Sequence, residues 1–182
     1  MMAKHGIELA ELASRLSNRG LRRVPLDPAF STSTRFTGVV FDAAHLKAGD
    51  LWVNLHGDSG EARDLMRQAE NSGAAATMAE FPRPAARVPH LRVTDPRLAL
   101  SLASALLHGE PSGRLAVAGI TGTVGKSTTA CMAARCLDFA GIPHGISSSA
   151  AWRIGDEVCQ EEDLTTADAP EQHRRLAAMA AA

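Results

Sequence analysis

Several features that would direct the chain to a particular partner or compartment are missing. Net charge at neutral pH is −1 over 182 residues, and lysine and arginine are scattered rather than gathered in a stripe. That leaves no electrostatic case for nucleic acid or an anionic membrane as partner. No apolar run approaches the roughly 20 residues needed to span a bilayer. Met1 to Gly20 carries no signal-peptide pattern and reads as an amphipathic helix with Ile7, Leu9, Leu12 and Leu16 inward, closed by Gly20. The expected location is cytoplasmic. Cysteine is scarce: Cys131, Cys136 and Cys159 are the only three. The five-residue step from Cys131 to Cys136 suits shared metal ligation poorly, so both are expected as small packing residues of a helix. The seven histidines show no His-x-x-x-His spacing, and His5, His90 and His144 read as incidental. There are no internal repeats.

One stretch does carry chemistry. Thr121-Gly122-Thr123-Val124-Gly125-Lys126-Ser127-Thr128-Thr129 follows an apolar run, Leu115 to Ile120, and precedes a helical pattern that ends near Gly141. A strand, a glycine-bearing loop and a helix make a phosphate cradle. Backbone N–H groups of Gly122, Thr123, Val124, Gly125 and Thr128 would face phosphate oxygens, and the helix start adds partial positive charge. Lys126 would reach the β- and γ-phosphates, and the Ser127 hydroxyl would ligate Mg²⁺. The expected cofactors are therefore ATP and Mg²⁺. The spacing is not the commonest: the glycine usually found five residues before Gly125 is Ile120, and Gly119 lies one residue too early.

The organisation is α/β. Pro111-Ser112-Gly113 marks a boundary, with residues 1–110 as a small N-terminal α/β domain and 114–182 as an incomplete P-loop-type parallel-sheet domain. Val39 to Phe41, Leu51 to Leu55, Ala74 to Met78 and His90 to Val93 are expected strands. Glu61 to Ser72 is a helix ended by Gly73, and Pro96 to His108 is a helix with Asp95 as its N-cap. Beyond the boundary, Leu115 to Thr121 is expected as a buried parallel strand and Lys126 to Ala140 as a helix closed by Gly141. His144 to Ser147 is the next strand. Gly155-Asp156 turns a hairpin, and Asp168 caps a last helix.

These pieces resemble, in order, the Mur ligase family. Its phosphate loop reads Thr-Gly-Thr-Asn-Gly-Lys-Thr-Thr; Val124 and Ser127 differ here. Phe41-Asp42-Ala43-Ala44 through Gly49-Asp50-Leu51-Trp52-Val53 is similar to the family's Asp-Ser-Arg…Pro-Gly-Asp-Leu-Phe-Val. Gly57-Asp58-Ser59-Gly60, Thr94-Asp95-Pro96-Arg97 and Leu164-Thr165-Thr166-Ala167 match further segments. The resemblance, strongest to the ligase that adds the third residue of the peptidoglycan stem peptide, implies an ATP-dependent amide-bond-forming ligase in cell-wall synthesis. In that chemistry a carboxylate is activated as an acyl phosphate and an amine attacks it. The resemblance also implies that Asp58, Ser59 and Gly60, with Thr165 and Thr166, contact a carboxylic-acid substrate like a peptidoglycan precursor.

Departures from the family shape the remaining expectations. Ala43-Ala44 replaces the family's Ser-Arg, and Asp58 would repel a diphosphate unless a cation intervened. A related acid not linked to UDP is the alternative. The family's later Mg²⁺ ligands lie after the Thr-Thr segment and no counterpart precedes Ala182, so no catalytic residue is assigned within the chain. The expectation is a fragment, a subunit completed by a second chain, or a non-catalytic nucleotide-binding module.

Overall fold

The computed structural model describes residues 6–23, 33–83, 85–148, 152–155, 157–159 and 167–182. The chain divides into two compact units, Met1–Leu107 and His108–Ala182.

The first unit contains β1 (Ile7–Glu8), α1 (Leu9–Asn18), β2 (Arg35–Phe36), β3 (Gly38–Val40), β4 (Asp50–Val53), α2 (Gly60–Asn71), β5 (Ala76–Ala79), β6 (His90–Arg92) and α3 (Pro96–Leu107). The last four strands form one parallel sheet in the order β3-β4-β5-β6. Its central strands are buried without alternation and mostly apolar: Leu51, Trp52 and Val53 follow Asp50 in β4, and Ala76, Met78 and Ala79 flank Thr77 in β5. A strand covered on both faces favours such continuous runs. Trp52 packs with Ala62, Met66 and Ala69 of α2 and with Phe81. The three α2 residues recur at helical spacing and so share one face. The helix boundaries are set locally. Ser59 Oγ accepts from the Ala62 N–H at 3.1 Å, and Asp95 Oδ1 accepts from the Leu98 N–H at 3.0 Å. Gly73, past the end of α2, has φ 91°, a conformation open chiefly to glycine.

The first helix starts later than its sequence pattern suggests. Glu8 is extended (φ −71°, ψ 133°) and α1 begins at Leu9. Ile7 lies in β1, paired with Phe36, because an available neighbouring strand satisfies its backbone. Leu9, Leu12 and Leu16 are fully buried, as their spacing predicts. Met1 to His5 lie outside the described residues.

Two polar arrangements brace this unit. The Asp50 carboxylate accepts from the Lys47 N–H at 2.9 Å, closing the turn into β4. It lies so near Gly38 that a Cβ there would sit 2.9 Å from the Asp50 Cγ. On the segment between β5 and β6, Arg83 makes a two-pronged ion pair with Glu70, both contacts 2.9 Å, the carboxylate side chain only 2% exposed. His90 is not incidental. Its Nε2–H donates to the Phe81 carbonyl at 2.9 Å, so its Nδ1 is left to accept from the Thr77 hydroxyl at 3.0 Å. Burial pushes the His90 pKa down, with Arg83 and Arg92 adding to the effect against the Phe81 carbonyl and Glu70.

The second unit opens with a 3-10 turn at Pro111–Arg114, followed by α4 (Lys126–Phe139), β7 (Gly145–Ser147), β8 (Trp152–Ile154), β9 (Glu157–Cys159) and α5 (Ala169–Ala181). The three strands form an antiparallel sheet in the order β7-β8-β9. The strand expected at Leu115 to Thr121 does not form. No described strand pairs with this stretch, and Val117 and Ile120 are 61% and 40% exposed. An apolar run becomes a strand only where a neighbour supplies the ladder, and the described strands of this unit pair with one another. Cys131 and Cys136, expected as packing residues, are exposed; of α4 only Ala134 is buried. The α5 start follows its sequence, with Asp168 Oδ1 accepting from the Glu171 N–H at 2.9 Å. Arg174 and Arg175 of α5 each lie 5.4 Å from the centre of the Trp152 ring, within cation–π range. His144 also has a structural part: Nδ1–H donates to the Ile142 carbonyl at 2.9 Å, and Nε2 accepts from Arg153 at 2.8 Å. Arg153 donates to Asp138 as well, at 3.0 Å, and holds that carboxyl below its ordinary pKa.

Candidate phosphate site

The loop from Gly122 to Gly125 enters α4 through two glycines with positive φ. Gly122 has φ 153°, and Gly125, the N-cap, has φ 81° and ψ −1°. The second value is left-handed, where a Cβ is strained. The Gly125 carbonyl accepts the first helical bond, from the Thr129 N–H at 2.8 Å.

At α2, α3 and α5 an oxygen of Ser59, Asp95 or Asp168 takes up an amide of the first turn. At α4 the N-cap is Gly125, which has no side chain to do so. A helix of 14 residues therefore presents its amino end, with the positive end of its dipole, at an exposed loop.

Lys126 is the first residue of α4 and folds back over the loop, its Nζ donating to the Gly122 carbonyl at 2.7 Å. The ammonium thus lies against the backbone that it would share with an anion. Gly122, Thr123, Val124, Gly125, Lys126 and Thr128 are exposed and Ser127 is half-buried. Val124 is 88% exposed. Beyond the loop, a shallow cavity of about 620 Å³ runs along one face of α4 and is lined by Ser127, Thr128, Cys131, Met132, Arg135 and Cys136. The loop, the lysine and the Ser127 hydroxyl are brought to one end of one helix, while the strand that the sequence motif places before the loop does not form.

The expected acid-substrate residues fall elsewhere. Thr165 and Thr166 lie outside the described residues. Asp58, Ser59 and Gly60 belong to the first unit, at the amino end of α2. Ser59 caps that helix. Asp58 makes a two-pronged ion pair with Arg63, Nε at 2.7 Å and Nη2 at 2.9 Å. The guanidinium holds the Asp58 carboxyl below its usual pKa. Arg63 lies over the Phe81 ring, 5.0 Å from its centre. Sequence reasoning anticipated the carboxylate and missed its cation. The available signal was a basic residue in the first turn after an acidic one just outside the helix. Among the described residues no group of three or more His, Cys, Asp or Glu side chains could hold a metal ion. No helix there is long and apolar enough to cross a membrane.

The chain is similar to known proteins. No protein-family model matches the chain. It is 33% identical over 180 residues to a UDP-N-acetylmuramyl-tripeptide synthetase of Deinococcus radiodurans, covering 97% of this chain and 36% of that protein. It is 34% identical over 142 residues to a UDP-N-acetylmuramoyl-L-alanyl-D-glutamate--2,6-diaminopimelate ligase of Aquifex aeolicus, covering 78% and 29%. Among solved structures, another ligase of that 2,6-diaminopimelate type matches at TM-score 0.67 and 17% identity, over 97% of this chain and 34% of that one. MurF of Acinetobacter baumannii matches at TM-score 0.51 and 25% identity, over 71% and 27%. The chain thus spans about a third of the length of the relatives it matches.

Proposed function

The chain is a homologue of the Mur ligases, and from that premise we propose that it carries the ATP-binding part of an amide-forming ligase of the tripeptide-synthetase type. In this reading residues 1–110 form the domain that receives the acid substrate, and residues 114–182 form the start of the nucleotide-binding domain. The loop from Gly122 to Thr128 holds the triphosphate, Lys126 neutralises its charge, and Ser127 ligates Mg²⁺. A bound triphosphate would supply the phosphoryl group that turns a carboxylate into an acyl phosphate, which an amine then converts to an amide. The chain's own contribution is to position the phosphates and balance their charge, which is most of what phosphoryl transfer asks of a protein. By the resemblance alone, Thr165 and Thr166 are assigned to contact with the acid. The setting is the cytoplasm, where such precursors are made.

The observation that carries this is the amino end of α4, where a left-handed Gly125 and the absence of a side-chain cap leave backbone amides for an anion beside the Lys126 ammonium. The test is calorimetric titration with Mg²⁺–ATP. Lys126→Ala should weaken binding at least tenfold, as expected for loss of one charge-assisted contact of about 1.5–3 kcal/mol. Unchanged affinity would remove the phosphate-loop reading.

A second reading is favoured by the exposed stretch from Leu115 to Thr121, which pairs with no described strand. Here the chain binds nucleotide as a module or as one subunit, and a second polypeptide supplies the strands that this stretch lacks. Purified chain would then bind ATP and form no amide product by itself; turnover by the purified chain would exclude this second reading.

A further inference from the structure

A helix in a layered α/β fold buries its larger apolar side chains and turns small or polar ones outward. The reverse holds for α4. Ala130, Ala134 and Leu137 share its inner face, and of these only Ala134 is fully buried. The larger Met132 and Phe139 are 65% and 97% exposed. Thr128, Met132, Arg135 and Phe139 recur at helical spacing, so they form one stripe. The shallow cavity beside the phosphate loop follows this stripe and takes in Cys131 and Cys136. Arg135 is the one charged residue in its lining. Its ion pair with Asp138 is long, 3.9 Å, so its stem is free to lie along an apolar surface while the guanidinium stays in water.

The segment on the other side of the loop indicates what covers the stripe. Leu115 to Ile120 is apolar, mostly exposed, and paired with no described strand. A strand, a loop and a helix in succession form a stable unit only on a sheet, where the strand takes a place in a parallel ladder and the helix packs over the face. Here both halves of such a unit are open. A second copy of the chain suits the stripe poorly, because pairing it with its twin in either direction sets two Arg135 guanidiniums near each other. A membrane surface suits it no better: such helices are rich in lysine and arginine, and α4 carries only Lys126 and Arg135. Polypeptide of the fitting kind exists in the relatives. The chain covers 36% of the Deinococcus radiodurans synthetase, and the larger part of that protein lies outside the aligned segment.

We infer that the outward stripe of α4 is a docking face for a sheet carried by a second polypeptide, whose edge strand pairs in parallel with Leu115 to Ile120 while its apolar face lies against Met132, Cys136 and Phe139. This deepens the subunit reading above and rests on it. That reading asks for strands beside Leu115 to Thr121, and α4 adds a separate observation of where their face lies. The phosphate loop stands between the two contacts, and Ser127 and Thr128 line the same cavity as Met132. Docking would therefore fix the loop on its strand side as well as its helix side. Nucleotide and partner then strengthen each other's binding.

The probe is the part of the Deinococcus radiodurans synthetase outside the aligned segment, co-expressed as a separate polypeptide with the full chain. The two should sediment as a one-to-one complex. Maleimide labelling of Cys131 and Cys136, both exposed in the chain alone and read residue by residue by mass spectrometry, should slow at least tenfold in the complex. Mg²⁺–ATP should bind the complex about fivefold tighter, or more, than the chain alone. Met132→Glu with Phe139→Glu, both at exposed positions, should leave the circular dichroism of the chain unchanged and abolish assembly. Failure to assemble would overturn the inference, as would a double-glutamate variant that still assembles. Thiols protected in the chain alone at high concentration would mean that a second copy covers the stripe, and would overturn it too. A complex in which both thiols stay fully reactive would remove the docking face and leave the subunit reading standing, so the two failures are distinguishable.

Discussion

The first unit hides its apolar side chains and the second displays them. Leu9, Leu12, Leu16, Phe36, Leu51, Trp52, Met66, Met78 and Leu91 are essentially inaccessible in the first, while the described hydrophobics buried in the second are Ala134, Trp152 and Ala177. Conversely, Val117, Ile120, Val124, Met132, Phe139 and Ile142 of the second unit are 40% exposed or more, against Leu98 alone among the large described hydrophobics of the first. The two stretches of sequence are similar in kind, with apolar strands, capped helices and glycine turns. What separates them is whether a strand finds neighbours. In the first unit four strands pair in parallel and are covered by helices. In the second, the apolar run before the phosphate loop pairs with no described strand, and α4 presents Met132 and Phe139 to solvent. Burial is a property of the assembled layers rather than of the segment.

Substitutions can break that contrast. The largest effect is expected at Trp52, where Trp52→Ala should cost about 3–5 kcal/mol by removing a fully buried ring from between β4 and α2. Urea unfolding followed by circular dichroism would show it, and a loss under about 1 kcal/mol would mean that the first unit lacks the tight core described.

A smaller effect comes from acid. Folding depresses the His90 pKa, so below the ordinary imidazole value of about 6.5 the unfolded chain takes up a proton that the folded chain refuses. Stability contributed by neutral His90 should therefore be complete above that pH and fall as the pH drops from it toward the folded value. Burial acts in the same direction on His108 and His173 of the second unit. Replacing His90 with Gln sharpens the comparison: the melting temperature of the first unit should become flatter between pH 7 and 5. An unaltered pH profile would contradict the buried neutral imidazole.

The smallest effect is expected at Phe139, 97% exposed at the end of α4. Phe139→Ala should alter stability by no more than about 0.5 kcal/mol in the same urea experiment. A large loss would show that this ring is covered in solution.

Much of the first unit was legible because its signals are local. Asp95 before Pro96, Gly73 after Asn71 and the Leu9-Leu12-Leu16 spacing each act within a turn or two of helix. The same holds for Asp168, for Gly141, and for the Gly125-Lys126 pair, whose backbone geometry the motif anticipates. The failures are non-local. Leu115 to Ile120 has the composition of a strand, and composition does not say whether a ladder partner is present. Cys131 and Cys136 sit on a helix as expected, but which face is covered depends on what packs there. Ile7 left the helix pattern because Phe36, 29 positions away, pairs with it. The Arg63 cation beside Asp58 lies five positions on, and only the start of α2 at Gly60 brings the two together.

The close approach of Gly38 to Asp50 ties the histories of two positions together. Any side chain at 38 evicts the carboxylate that closes the turn into β4, and a larger residue at 50 has nowhere to go unless 38 stays bare. In a library of random variants a new Cβ at 38 should therefore be tolerated chiefly where 50 has become small.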